Sequence, residues 1–173
     1  SEGDTEVILK AYHAWGIGCV DRFHGMFAFA VWERDSGRLI LARDRLGIKP
    51  LYWNRNDARL RFASSPQALL AAGDVDTTID AVALHHLFTL HAVVPAPRTI
   101  VQGVRKLAPG HWLRVDAEGH LVEQRYWHLS ATRPERPMAD RDWLDAIHEA
   151  LRGAVARRNE VADVPVGVLL SGG

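Results

Sequence analysis

The succession of patterns in this chain predicts most of an α+β domain followed by the opening elements of an α/β domain. Three observations carry that expectation. Paired apolar runs around short turn signals recur three times in the first 126 residues, as antiparallel hairpins require. A polar stretch, 128–139, with Pro134 and Pro137, then interrupts the pattern as a linker does. Beyond it come an amphipathic helix and an apolar run that ends in Ser171-Gly172-Gly173, the pattern of a buried strand entering a glycine turn.

In chain order, Thr5 to Trp15 predicts a helix, with Val7, Ile8, Ala11, Tyr12 and Trp15 on one face, Asp4 as N-cap and Gly16 as stop. Runs 25–33 and 38–43 flank Arg34-Asp35-Ser36-Gly37 and predict the first hairpin. Its first strand is almost wholly apolar over 26–32, which predicts cover on both faces. Leu51 to Trp53 and Arg59 to Ala63 form the second hairpin around 54–57. Ser65-Pro66 opens a short helix to Ala72, with Pro66 in the first turn, and Asp80 caps another to Leu90. A proline-rich loop lies at 95–97, and 111–115 pairs with 120–126 across Asp116 to Gly119. Asp140 to Arg158 places Trp143, Leu144, Ile147, Leu151 and Val155 on one helical face, and a buried strand closes the chain over 163–170.

Composition narrows the function. Hydrophobic residues make up 47% and charged residues 24%, the balance of a globular protein. Lys plus Arg and Asp plus Glu number 21 each, so no net charge draws the chain to nucleic acid or a membrane surface. No apolar run is long enough to span a bilayer, and no signal-peptide pattern opens the chain; a cytoplasmic location is the expectation. A single cysteine, Cys19, excludes an internal disulfide and a cysteine-rich metal site.

The most distinctive internal stretch is Arg43-Asp44-Arg45-Leu46-Gly47-Ile48-Lys49-Pro50-Leu51-Tyr52. Read alone, it is either a polar turn of paired surface charges or part of a site. Together with Val164-Pro165-Val166-Gly167-Val168-Leu169-Leu170-Ser171-Gly172-Gly173, it resembles the glutamine-hydrolysing asparagine synthetase family. Gly25 to Ala30, Pro95 to Ile100 and Lys106 to His111 fit the same family in the same order. The resemblance implies an incomplete four-layer αββα glutaminase domain of the N-terminal nucleophile type over 1–127. It further implies a linker over 128–139 and the start of an α/β ATP-pyrophosphatase domain over 140–173.

By that resemblance, an N-terminal cysteine outside this chain releases ammonia from glutamine. The second domain activates aspartate as its AMP ester, with Mg²⁺ on the phosphates of ATP, and ammonia displaces AMP. The chain alone is then inactive, and the resemblance allows a homodimer. Asp4 corresponds to the acidic residue that holds the α-ammonium of glutamine; the family usually has Ser-Asp where this chain has Gly3-Asp4. Capping the helix and holding the ammonium are both open to Asp4. Leu170, Ser171, Gly172 and Gly173 correspond to the opening of the pyrophosphate-binding loop, where small residues let the backbone approach phosphate. The stretch 43–49 is expected to be mostly structural, with a role in domain contact or along the ammonia path. Leu90 to Arg98 and Gly3 to Glu6 also look like the N-acetylglutaminylglutamine amidotransferase branch, which would make a small peptide the acceptor. A glutaminase-like module that only binds is the reading from another class.

Other signals carry less. Cys19 is internal and so reads as a buried thiol, not as a nucleophile activated by its own α-amine. His85 and His86 are adjacent on a helix and point apart, and neither they nor His91 has a carboxylate at ligand spacing. Gly16-Ile17-Gly18 lacks the third glycine of a dinucleotide fingerprint. The tryptophans, among them Trp32, Trp53, Trp112 and Trp127, fit strand packing.

Overall fold

The computed structural model describes residues 3–57, 59–133, 135–160, 162 and 164–169. The chain divides into two units, Ser1–Leu129 and Ser130–Gly173.

The first unit is mixed α/β with two antiparallel sheets. Helix α1 (Asp4–Trp15) stops at Gly16, whose φ of 56° and N–H donated to the Tyr12 carbonyl close the last turn. A 3-10 segment, Gly16–Arg22, leads into β1 (Ala28–Glu33) and β2 (Arg38–Arg43). Then follow β3 (Tyr52–Arg55), β4 (Leu60–Ala63), α2 (Pro66–Ala71) and α3 (Ala81–Thr89). Strands β5 (Arg105–Lys106), β6 (His111–Val115) and β7 (Leu121–Arg125) complete the unit. The sheets run β1-β2-β6-β7 and β4-β3-β5. Ser65 Oγ accepts from Ala68 N, and the Asp80 carboxylate accepts from Val82 N and Ala83 N, so both caps are as the sequence predicts.

Strand alternation sends the apolar residues of the four-stranded sheet to two cores. In the register, Ala42 stands opposite Phe29 and Trp112, and these residues pack with Ala11, Cys19 and Val20 of α1 and the 3-10 segment. One residue earlier, Leu41 stands opposite Ala30 and Leu113 and faces the other way. Leu41 and Leu113 pack with Trp53 of the second sheet and with Leu51 and Leu107, which flank its strands β3 and β5. Across that second sheet, Tyr52 and Ala63 join Leu69, Val101 and Val104. Each strand thus reads two environments with period two.

Three expectations change. Asp4 is not the N-cap: Gly3 occupies that position, and Asp4 is the first helical residue, in a first turn that also holds Glu6. Gly3 can take this place because its carbonyl accepts from Glu6 N and Val7 N without a capping side chain. Strand β1 is not covered on both faces. It is an edge strand, and on its inter-sheet face only Ala28 joins the core while Trp32 stays 60% exposed. An unbroken apolar run shows no alternation, so it cannot reveal which strand ends a sheet.

The third change lies in the second unit. Helix α4 (Asp140–Glu160) forms as expected and carries its apolar stripe, but residues 164–169 are not a strand, and Val164, Val166, Val168 and Leu169 are exposed. A strand with no ladder partner leaves its N–H and C=O groups unpaired, so apolar content alone does not make one. Asp163 and Leu170, at the ends of that predicted strand, lie outside the described residues.

Leu41 is fully buried between the sheets, whereas Val122 is 40% exposed. Leu41→Ala should lower unfolding stability by about 2–5 kcal/mol, and Val122→Ala should change it by about 0.5 kcal/mol or less. Urea midpoints of the two variants measure the contrast.

Candidate functional site

The site is built around the turn that leaves β2. Asp44 is 1% exposed, and its carboxylate faces main-chain donors. Its Oδ1 accepts from Leu46 N at 3.2 Å and Ile48 N at 3.0 Å. Its Oδ2 accepts from Lys49 N at 2.9 Å and Phe27 N at 3.3 Å. Asp44 N donates to the Phe27 carbonyl, and the Asp44 carbonyl accepts from Gly47 N and Gly110 N. A buried carboxylate is costly unless hydrogen-bonded, and here main-chain N–H groups replace its water.

Arg43 closes the other side of the turn. Its Nε donates to Lys49 O at 2.8 Å, Nη2 to Gly47 O at 2.6 Å and Nη1 to Leu107 O at 2.7 Å. Burial pulls the Arg43 pKa below its ordinary value, and the adjacent Asp44 opposes the shift. Gly47 must be glycine for two reasons. Its φ is +66°, and a Cβ there would stand 2.8 Å from Pro109 Cγ and 3.0 Å from Arg43 Cζ. Tyr126, just past β7, donates its hydroxyl to Arg43 O at 2.7 Å. The ion-rich stretch therefore works as an internal clasp. Leu46, Ile48 and Lys49 are its exposed side chains.

Beside the clasp lies a cleft of about 420 Å³, whose lining includes Asp4, Ile8, His24, Phe27, Lys49 and Ser64. Asp4 reaches it from the first turn of α1, where the helix dipole favours a carboxylate. Phe27 comes from the segment before β1, Lys49 from the clasp and Ser64 from the end of β4. Charge of both signs is therefore present in one cleft. Its polar groups and apolar side chains suit a small polar ligand with an amphoteric head.

Asp4 lines this cleft and does not cap its helix. Leu170, Ser171, Gly172 and Gly173 lie outside the described residues. His24 and Ser64 gave no local signal, because a lone histidine and a serine become site residues only through what the fold sets beside them. Lys49 was visible as part of the charged stretch but not as a cleft residue. Cys19 is fully buried, and burial pushes its thiol above the ordinary value, which suits a packed and unreactive group. Among the described residues, the one His/Asp/Glu grouping close enough for a metal is Asp116, Glu118 and His120. Its geometry is that of the β6–β7 turn, with Asp116 Oδ1 accepting from His120 N at 2.7 Å.

Residues 1–127 match the family described as Glutamine amidotransferase domain. Asparagine synthetase (glutamine-hydrolyzing) 3 of Bacillus subtilis is 35% identical over 170 residues, 98% of this chain and 27% of that protein. A putative glutamine-hydrolyzing asparagine synthetase of Mycobacterium tuberculosis is 37% identical over 178 residues, 100% of this chain and 27% of that protein. A second putative one, from Methanocaldococcus jannaschii, is 33% identical over 174 residues, 98% of this chain and 33% of that protein. The chain thus spans 27–33% of the length of these curated relatives. A glutamine phosphoribosylpyrophosphate amidotransferase from B. subtilis, solved with ADP and GMP, aligns over 73% of this chain and 23% of its own. Its TM-score is 0.46 at 18% identity, too loose a likeness to add to the assignment.

Burial, reinforced by the Asp44 carboxylate, pushes the Tyr126 hydroxyl up to about 12. An unfolded tyrosine loses its proton near pH 10, so the stability held by this group is complete below that pH and is lost as pH rises through about 12. Tyr126→Phe should cost about 1 kcal/mol at neutral pH and remove part of the alkaline loss of stability. Denaturation midpoints measured at neutral pH and across the alkaline range test both effects.

Proposed function

The chain belongs to the glutamine amidotransferase domain family, and on that footing we propose that it is part of a glutamine-hydrolysing asparagine synthetase in which Asp4 holds the α-ammonium group of glutamine. The full enzyme converts aspartate, ATP and glutamine to asparagine, AMP, pyrophosphate and glutamate. Relatives that span the chain at 33–37% identity carry asparagine synthetase names, which favours aspartate over a small peptide as acceptor; two that span it at 29–30% are named amidases.

One observation carries the reading: the Asp4 carboxylate lines a cleft at the start of α1, beside the clasp that supplies Lys49. An ammonium group suits Asp4 because its N–H groups donate charge-assisted hydrogen bonds to the carboxylate oxygens. The aliphatic body of glutamine suits Ile8 and Phe27 in the same cleft. In this reading, the hydrolysing nucleophile is an N-terminal cysteine outside these residues, and the cleft's task is to bind and orient.

The three cores described above support a four-layer αββα arrangement, with α1, the two sheets and α2 as successive layers. Residues 1–127 then belong to the glutaminase domain, 128–139 to a linker and 140–173 to the start of an ATP-pyrophosphatase domain. Leu170, Ser171, Gly172 and Gly173 would open its pyrophosphate loop. ATP is the second substrate, and Mg²⁺ would be held by its phosphates and by residues outside this chain. The exposed Leu46 and Ile48 support a role for residues 43–49 in domain contact or along the ammonia path. No helix among the described residues is long and apolar enough to cross a membrane.

In the full-length parent enzyme, Asp4→Asn should raise the KM for glutamine about 10- to 100-fold. Ammonium supplied directly bypasses the cleft, so asparagine formed from ammonium reports that the variant is folded. Glutamate release at varied glutamine concentrations is the measurement. An unchanged KM would remove Asp4 from the substrate site, and no glutamate release from the unmutated enzyme would leave a module that only binds.

A further inference from the structure

We propose that Asp44 is a positioning residue for glutamine binding, because its buried carboxylate ties together two walls of the cleft that it does not itself line. This rests on the reading of the Asp4 cleft as the glutamine site. Asp44 is 1% exposed, so it does not touch a ligand there. Phe27 and Lys49 both line the cleft, yet they come from segments separated by the whole β1–β2 hairpin. A single oxygen, Asp44 Oδ2, accepts from the N–H groups of both, at 3.3 Å and 2.9 Å. The Asp44 N–H returns a bond to the Phe27 carbonyl at 2.8 Å.

The two oxygens have different tasks. Oδ1 accepts from Leu46 N and Ile48 N, which shapes the turn within its own segment. Oδ2 reaches outside that segment, to Phe27, and so sets the distance between the walls. Lys49 is held from both sides of its residue, the N–H by Asp44 and the C=O by Arg43. An aspartate is needed because each oxygen accepts two N–H groups. An asparagine keeps the shape but turns one oxygen into a donor, which faces N–H groups and repels them. Asp44→Asn therefore loosens the walls without creating a cavity. Small displacements of a binding wall have large effects on a well-oriented substrate.

The test is glutamate release by the full-length parent enzyme at varied glutamine concentrations, with Asp44→Asn and Asp4→Asn assayed in parallel. Asp44→Asn is expected to raise the glutamine KM about tenfold while kcat changes less than about threefold. A residue that serves stability alone would lower the amount of active enzyme, and so apparent kcat, at unchanged KM; that result overturns the proposal. If Asp4→Asn raises KM and Asp44→Asn does not, the positioning role fails and the cleft assignment stands. If neither raises it, the cleft assignment fails and takes this proposal with it. Gly47→Ala covers the case in which Asp44→Asn does not fold. It displaces the same turn by forcing a Cβ against Pro109 and Arg43 at a φ of +66°, with the carboxylate intact. A rise of about tenfold in its glutamine KM supports the proposal, and an unmoved KM with full activity overturns it.

Discussion

Two walls of the cleft depend on one buried carboxylate at the end of β2. Left without partners, the Asp44 charge would be far too costly to bury; surrounded by the N–H groups of Phe27, Leu46, Ile48 and Lys49, it becomes the centre of the turn. Its own carbonyl accepts from Gly110 N, which brings in the start of β6. Arg43 reaches the Leu107 carbonyl, and Tyr126 reaches the Arg43 carbonyl. The same few atoms thus join the start of β1, the end of β2, the connection from β5 to β6 and the chain after β7. They also sit where the two sheets approach, since Leu107 belongs to the core between them.

That arrangement explains why a small cleft can be well defined at the edge of the unit. Its walls are contributed by α1, by the segment before β1, by the clasp and by the end of β4. Apart from α1, these are short connecting segments, and a loop wall would ordinarily be mobile. Here the Phe27 and Lys49 segments are anchored through main-chain groups, so the side chains they carry start from a fixed backbone. Asp4 gains from the opposite device, a helix N-terminus whose partial positive charge favours the carboxylate while leaving it in the cleft. Rigid backbone beneath a polar surface is what a binding step needs if it is to orient an amide.

Much of the fold was legible, and the reasons are local. The β1–β2, β3–β4 and β6–β7 hairpins follow from turn residues between apolar runs, and the caps of α2 and α3 follow from Ser65 and Asp80. The failures share a cause. Asp4 looked like a cap because its residue type suits one, but the helix begins at Asp4 itself and the cap falls one residue earlier, at Gly3. The apolar content of β1 and of 164–169 looked like burial, but β1 stands at a sheet edge and 164–169 finds no ladder. The two-residue β5 was missed because Arg105-Lys106 has no strand pattern; it pairs with β3 only because the chain is led there.

The sequence by itself determined the chemistry available: an acidic residue at the head of α1, a charged turn that contains a glycine, and enough ordered motif to identify a family. Those properties belong to residue types and short spacings. Only the tertiary structure decided that Asp44 is buried and faces main-chain N–H groups, although its neighbours Arg43, Arg45 and Lys49 invite the reading of a surface ion cluster. It also decided that Phe27, Lys49, Ser64 and Asp4 share one cleft. A contact between segments far apart in the chain has no period and no local propensity, so it is written nowhere in the sequence until the strands pair and their register brings the segments together.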